Sequence, residues 1–303
     1  MRDENAMRVL VTGASGFIGR HVVARLQSMG HEVVGVCRTP SPDLLVDWRV
    51  ADLLTPGAAT ALLDEVRPEA LLHLAWCTEH GKFWRDPANL TWLARSCDLV
   101  KAATRVGVGR IVIAGTCFEY AFPDGDCDER ATPVENHFLY DTAKDACRRV
   151  TEALCQENGA SFGWARLFHF YGAGEHPARL VGSIARALSR GEVARCSSGQ
   201  VLRDYMHVAD AGAALATLVA SQATGVVNIA SGEPVLIADI ARALGEVAGR
   251  GDLVHLGALP DRPDDPLRIT ASVARLRQEV GFRPRFDLRA GLADVYNWWR
   301  AQA

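Results

Sequence analysis

The chain of 303 residues carries 33 Lys and Arg against 36 Asp and Glu, a formal charge of -3. The two signs are interspersed, which excludes the basic stripe that tracks a phosphodiester backbone, so nucleic acid is not an expected partner. No apolar run approaches the ~20 residues that cross a bilayer, and the N-terminus lacks the charged-then-apolar order of a secretory signal; a cytoplasmic protein with no membrane contact is expected.

A chain this long can bury one large α/β core, or a nucleotide-binding domain with a smaller lobe. Its eight cysteines include no Cys-x-x-Cys pair and fall mostly inside predicted elements, so reduced, buried thiols and no metal site are expected. Residues 1–6 read as a polar tail outside the fold. From Met7 onward, apolar β-rich runs alternate with helical patterns. The strand Arg8–Thr12 is followed by a helix from Ile18 to about Met29, the strand Glu32–Val36, a helix near Ala58–Val66 and the strand Ala70–Leu74. A helix over Ala88–Arg105, the strand Arg110–Gly115, a loop rich in Asp, Pro and Gly, a long helix to about Asn158 and the strand Phe162–Phe168 complete the series. Such alternation predicts an α/β fold with a doubly wound parallel sheet, a Rossmann dinucleotide-binding domain over residues 7–168. Past Tyr171 the alternation loosens. Helices over Leu180–Ser189 and Ile237–Ala248, and a late one ending near Trp298–Trp299, predict a smaller substrate lobe over residues 169–303. Residues 209–229, a helix and a strand, are expected to return to the first domain.

The first strand runs directly into Gly13-Ala14-Ser15-Gly16-Phe17-Ile18-Gly19 and a helix. Glycines here let the backbone approach a pyrophosphate, and the helix N-terminus offers unpaired N–H groups and a positive dipole end. Tight helix packing would use the same residues, but the strand–turn–helix setting at the opening of a βαβ series favours a phosphate loop. Farther on, Tyr140-Asp141-Thr142-Ala143-Lys144 opens the long helix, where residues four apart share a face and an ammonium can lie near a phenol. Thr116 ends the fifth strand, at the carboxyl edge where doubly wound sheets bind ligands.

The Gly-x-x-Gly-x-x-Gly spacing, together with Thr116, Tyr140 and Lys144, resembles the extended short-chain dehydrogenase/reductase family, whose members act on nucleotide-activated sugars. The resemblance implies cofactor contacts from Gly13, Ser15, Gly16, Phe17, Ile18 and Gly19, from Asp52 and Leu53 after the third strand, and from Leu74 and Ala75 after the fourth. Where an acidic residue would favour NAD, Cys37 and Arg38 stand instead, and a guanidinium suits a 2′-phosphate; NADP is expected, with NAD the alternative. The resemblance assigns Thr116 to the reacting oxygen, Tyr140 to acid/base work, and Lys144 to the cofactor ribose and to tuning Tyr140. It places Asn89 in a supporting proton relay. For Tyr140 to act as a base near neutrality its pKa must fall by about three units, roughly 4 kcal/mol, which Lys144 and an oxidised nicotinamide are expected to supply.

Related 4,6-dehydratases carry Asp-Glu directly after the catalytic Thr, where this chain has Cys117 and Phe118, so dehydration is not expected; Glu119 would serve only in a shifted register. A 4-ketoreductase of a nucleotide-linked keto-deoxysugar is the leading expectation, with a 4-epimerase holding NAD as the alternative and a non-catalytic dinucleotide-binding regulator a distant third. Arg166-Leu167-Phe168-His169-Phe170-Tyr171-Gly172 resembles the family segment Arg-x-x-Asn-x-Tyr-Gly, with His169 replacing Asn. Arg203 and Arg262, each in a family-like segment, are expected to clamp a diphosphate, since planar donors match phosphate oxygens. His176 is considered as a second acid, although an exposed loop histidine fits the residue better. Trp76, Trp84 and Trp92 are read as core packing or as a cover for a hexose, and Cys77 with His80 has too few partners for a metal. A homodimer through the helices bearing Ala88 and Tyr140 is implied by the resemblance.

Overall fold

The computed structural model describes residues 6–77, 79 and 81–303. In chain order the Rossmann series is β1 (Arg8–Thr12), α1 (Gly19–Ser28), β2 (Glu32–Cys37), β3 (Asp47–Val50), α2 (Ala58–Val66), β4 (Ala70–His73), α3 (Ala88–Arg105), β5 (Arg110–Thr116), α4 (Leu139–Glu157) and β6 (Ser161–Leu167). The remainder runs β7 (His169–Tyr171), α5 (Leu180–Ser189), β8 (Ala194–Arg195), β9 (Leu202–His207), α6 (Val208–Ala220), β10 (Gly225–Ile229), β11 (Pro234–Leu236), α7 (Ile237–Ala248), β12 (Val254–His255), β13 (Arg268–Ile269), α8 (Ala274–Gln278) and α9 (Leu288–Gln302).

A sheet buried on both faces needs strands apolar at every position, and β4 and β5 are buried throughout. Seven strands pair in the order β10-β6-β5-β4-β1-β2-β3, every pair parallel. This is the doubly wound sheet the alternation predicts. Side chains divide between the faces with the period of two that the pleat imposes. Val9, Val11 and Val112 pack with Val22, Leu26 and Leu215 beneath α1 and α6. Leu10, Ile111 and Ile113 pack with Leu63, Leu99 and Cys147 beneath α2, α3 and α4. Helix α6, rich in Ala and buried nearly all round, lies against α1 so closely that a Cβ on Gly212 would stand 2.5 Å from His21 Cβ.

β9 centres a second sheet, flanked by β11 and β13 over its first residues and paired with β7 over Tyr205, Met206 and His207. A third core, of Tyr171, Val181, Ile184, Leu188, Ile240, Leu244, Leu292 and Val295, joins α5, α7 and α9 beneath it. Among the described residues no helix is long and apolar enough to cross a membrane.

Candidate active site

The strand order reverses between β1 and β4, the place where carboxyl ends diverge and leave a crevice. The glycine turn sits there. Gly13 takes a left-handed φ of 69°, and a Cβ on it would stand 3.0 Å from the Ala75 amide nitrogen. At Gly19 a Cβ would fall 2.1 Å from the Gly13 carbonyl oxygen and 2.8 Å from Ala14 Cα. The Gly16 N–H closes the turn by donating to the Gly13 carbonyl at 3.0 Å. Gly16 faces solvent, Ser15, Phe17 and Ile18 are half-buried, and the α1 N-terminus has no side-chain cap. Bare backbone followed by uncapped helix amides fits a pyrophosphate, whose oxygens take the place of a capping side chain.

Neighbouring side chains fix the rim. The Thr12 hydroxyl oxygen accepts the Leu74 and Ala75 N–H groups at 3.1 and 3.2 Å. Its own proton therefore goes to His73 Nδ1 at 2.7 Å, and His73 Nε2 donates to Ser96 Oγ at 2.9 Å. Burial, then the charge of Lys144, pulls the His73 pKa down to about 3, so the ring is a neutral strut. Leu53 is buried, while exposed Asp52 accepts the Leu54 N–H at 3.0 Å. Arg38 leaves the end of β2 exposed and without a polar partner among the described residues.

Thr116, Tyr140 and Lys144 meet beside this crevice, 6 %, 9 % and 3 % exposed. The start of α4 is set by Asp141, whose carboxylate accepts the His137 and Phe138 N–H groups, and by the Tyr140 N–H donating to the Trp84 carbonyl at 3.1 Å. The Tyr140 ring meets Phe83 and Trp84 edge-on at centroid distances of 4.8 and 5.7 Å, and Trp84 continues the wall to Phe118 at 4.6 Å. Burial, and then the Glu119 carboxylate, push the Tyr140 phenol well above its ordinary range, against the hydrogen bond from Thr116. The expected fall is thus not supplied by the chain's own residues. Lys144 Nζ lies 6.0 Å from the Tyr140 ring centroid; it donates to the Ala114 carbonyl at 2.8 Å and sits 3.8 Å from the Trp76 ring centroid. Burial lowers the Lys144 pKa to about 8.

Asn89 does not join this group. Its Oδ1 accepts from Trp76 Nε1 at 2.8 Å, and its Nδ2 donates to the Phe83 and Asp86 carbonyls at 2.7 and 2.8 Å. With these bonds the side chain clamps the loop that lays Trp76 over Lys144. Trp76 also stacks on Trp92 at 6.1 Å. Cys77 is half-buried, with its Sγ 3.8 Å from Asp86 Oδ2, and His80 lies outside the described residues.

Glu119 also points away from the crevice. It is fully buried; its oxygens accept from Thr116 N at 2.9 Å, Trp164 Nε1 at 3.0 Å and Arg166 Nε at 2.7 Å. The positions directly after Thr116 offer a buried thiol, Cys117, and the aromatic ring of Phe118, which meets Trp84 edge-on.

At the second sheet, His169 on β7 lies against Tyr205 on β9 at 5.2 Å. Burial first, then Arg203 and Arg179, pull its pKa down to about 3. Arg203 is buried, bonded to Asp265 at 2.6 Å and to the Leu202 carbonyl at 2.8 Å. Arg262, the other half of the expected clamp, is exposed with no polar partner among the described residues. His176 is exposed, and its Nδ1 accepts the Ala178 N–H at 3.2 Å. Two groups escape sequence reasoning, buried Glu175 and exposed Arg179, because only the folded β7–α5 loop brings them beside His169 and Tyr205.

A family model described as NAD dependent epimerase/dehydratase family matches residues 9–230. The sequence is 28% identical to a GDP-6-deoxy-D-mannose reductase of Pseudomonas aeruginosa, over 97% of this chain and 98% of the relative. The structure of MoeE5 in complex with UDP-glucuronic acid and NAD is 30% identical, with a TM-score of 0.85 covering 98% of this chain and 100% of that one. UDP-glucose 4-epimerase from Thermotoga maritima, solved with UDP-glucose, shares the fold at a TM-score of 0.88 and 23% identity, covering 98% and 99%.

Proposed function

Because the chain belongs to the NAD dependent epimerase/dehydratase family, the extended short-chain dehydrogenase/reductase type of enzyme, we propose that it reduces the 4-keto group of a nucleotide-linked deoxysugar, with NADPH as its reductant. The observation that carries this reading is the setting of Tyr140, buried between the edges of Phe83 and Trp84 beside Thr116, where burial and then Glu119 raise the pKa of the phenol, a direction that suits a proton donor. Two further features support it. The chain has no carboxylate in the two positions after Thr116, and the P. aeruginosa relative is itself named a reductase.

The glycine turn with the N-terminus of α1 would hold the cofactor's pyrophosphate and Lys144 its nicotinamide ribose; when bound, the cofactor supplies a hydride. The chain's residues handle the proton. Tyr140 donates its phenolic proton to the carbonyl oxygen as negative charge develops there, and the Thr116 hydroxyl donates a second hydrogen bond to the same oxygen. Phe83, Trp84 and Phe118 exclude water from one side of that transfer. Arg38, exposed and without a polar partner among the described residues, suits a 2′-phosphate, so tighter binding of NADP than of NAD is expected. A homodimer through α3 and α4 fits the exposed Leu90 and Val150 on those helices, and solution mass tests it.

A second reading, 4-epimerisation with NAD, is favoured by the NAD in the MoeE5 complex and by the epimerase fold neighbour. Incubating the purified protein with UDP-, GDP- and dTDP-linked 4-keto-6-deoxyhexoses and each reduced cofactor, and with the corresponding 4-hydroxy sugars and NAD, separates the two. NADPH consumption with formation of a hydroxy sugar supports reduction. No consumption, alongside interconversion of two hydroxy epimers, rejects it.

A further inference from the structure

Resting on the reading in which Lys144 binds the cofactor's nicotinamide ribose, we infer that Trp76 is the positioning residue for Lys144: the face of its indole holds the ammonium so that one N–H is left for the ribose hydroxyls. An ammonium carries three donors and no acceptor. One N–H goes to the Ala114 carbonyl at 2.8 Å, and Nζ stands 3.8 Å from the Trp76 ring centroid, where the π face takes a second. A third remains. Lys144 is 3% exposed and Trp76 8%, so water competes little with either contact.

The indole is itself held in place. Its Nε1 donates to Asn89 Oδ1 at 2.8 Å, and Asn89 Nδ2 donates to the Phe83 and Asp86 carbonyls, so the amide cannot turn without losing bonds. Trp92 stacks on the ring at a centroid distance of 6.1 Å with 26° between the planes. The backbone of Trp76 follows Ala75, whose N–H donates to Thr12 Oγ1 at 3.2 Å and whose nitrogen would stand 3.0 Å from a Cβ on Gly13. Trp76 thus ties the rim of the glycine turn to the ammonium on α4. Burial lowers the Lys144 pKa to about 8; a π face favours the charged form and opposes that fall. The titratable groups around the ammonium are His73 on β4, Glu119 after β5, and Tyr140 and Cys147 on α4. Substitution of Trp76 leaves all four in the chain.

Calorimetry of the intact protein with NADPH and NADH, each beside a fragment that lacks the nicotinamide ribose, adenosine 2′,5′-bisphosphate and ADP respectively, tests the assignment. If the unaltered protein binds neither dinucleotide more tightly than its fragment, the reading of Lys144 as a ribose ligand itself fails. Where it does, Trp76→Leu should weaken the dinucleotide about tenfold or more and leave the fragment unchanged. The pH above which dinucleotide affinity is lost should also fall, by about one unit, as the ammonium loses its π partner. Trp76→Phe keeps a ring face, so it should hold affinity to within about threefold and keep the pH limit of the unaltered protein. Trp76→Met, which fills the space without a ring, should match Trp76→Leu and supplies the comparison if the leucine variant does not fold. Undiminished dinucleotide affinity in the variants without a ring, equal losses for dinucleotide and fragment, an unmoved pH limit, or a Trp76→Phe protein as weak as those variants would each overturn the inference.

Discussion

Replacing Glu119 by Gln keeps the side chain's size and removes its charge, and the surroundings make that change costly. Both carboxylate oxygens accept from donors: Oε1 from Thr116 N and Trp164 Nε1, Oε2 from Trp164 Nε1 and Arg166 Nε. Whichever oxygen becomes an NH2 group must face a donor, and Arg166, 2% exposed, loses its counter-charge. Breaking one side of such a pair costs about 3–5 kcal/mol, a large share of the roughly 5–15 kcal/mol that holds a domain folded. The reverse change, Arg166→Met, should cost less near neutrality, because a carboxyl can escape by taking a proton and a guanidinium cannot. Burial already raises the Glu119 pKa against the pull of Arg166, and without the arginine it rises further. A folded-state pKa above the unfolded one means stability is present at low pH and lost as pH rises through the folded value. Arg166→Met should therefore lose stability with rising pH, and the double variant, with no charge left to bury, should recover much of the loss in Glu119→Gln. Urea unfolding of the four proteins between pH 5 and 8.5 gives both the coupling and its pH dependence. A cost below about 1 kcal/mol for Glu119→Gln, or strict additivity in the double variant, would refute the reasoning.

Tyr140→Phe keeps the edge contacts with Phe83 and Trp84, so stability should stay within about 1 kcal/mol of the parent while turnover falls by about 10²-fold or more; steady-state assay beside a thermal melt separates the two. Gly19→Ala places a Cβ against the Gly13 carbonyl, and cofactor titration by fluorescence should show at least about a tenfold loss of affinity, an unchanged value telling against the cradle. Glu175 has a pKa raised from 4.5 to about 7, burial being the main cause, so the parent should lose about 3 kcal/mol of stability as pH climbs from 4.5 through 7. Glu175→Gln should abolish that slope, and parallel stability profiles for the two proteins would contradict the assigned burial cost.

The main sheet is legible because its strands are buried on both faces, which leaves short apolar runs such as Ile111-Val112-Ile113-Ala114 within β5; helices Ala88–Arg105, Leu180–Ser189 and Ile237–Ala248 end where their periodicity predicts. The second sheet is not legible. β9 carries Arg203, Asp204 and His207, each buried against a partner far along the chain: Asp265, Ser231 and Asp294. Polar residues buried by long-range pairing erase the alternation that marks a strand. Asn89 shows a related limit. Its place on α3 is readable, but whether its amide faces a reacting group or the preceding loop depends on how residues 76–86 fold back, and no local pattern encodes that.

Glu119 links the fold to the chemistry. It is the carboxylate nearest in sequence to Thr116, yet it turns inward and ties the end of β5 to Trp164 and Arg166 on β6. Thr116 gains a fixed backbone from this, and the crevice loses an acid. The same buried charge reaches Tyr140 through the low-dielectric interior and raises its pKa. One residue thus turns its acid away from the site and adds to the burial that raises the pKa of the phenol. A mutation that neutralises Glu119 without unfolding the protein should then lower the Tyr140 pKa, moving the alkaline limb of the pH–rate profile for reduction to lower pH. A limb that stays in place would show that Glu119 has no electrostatic hold on the phenol.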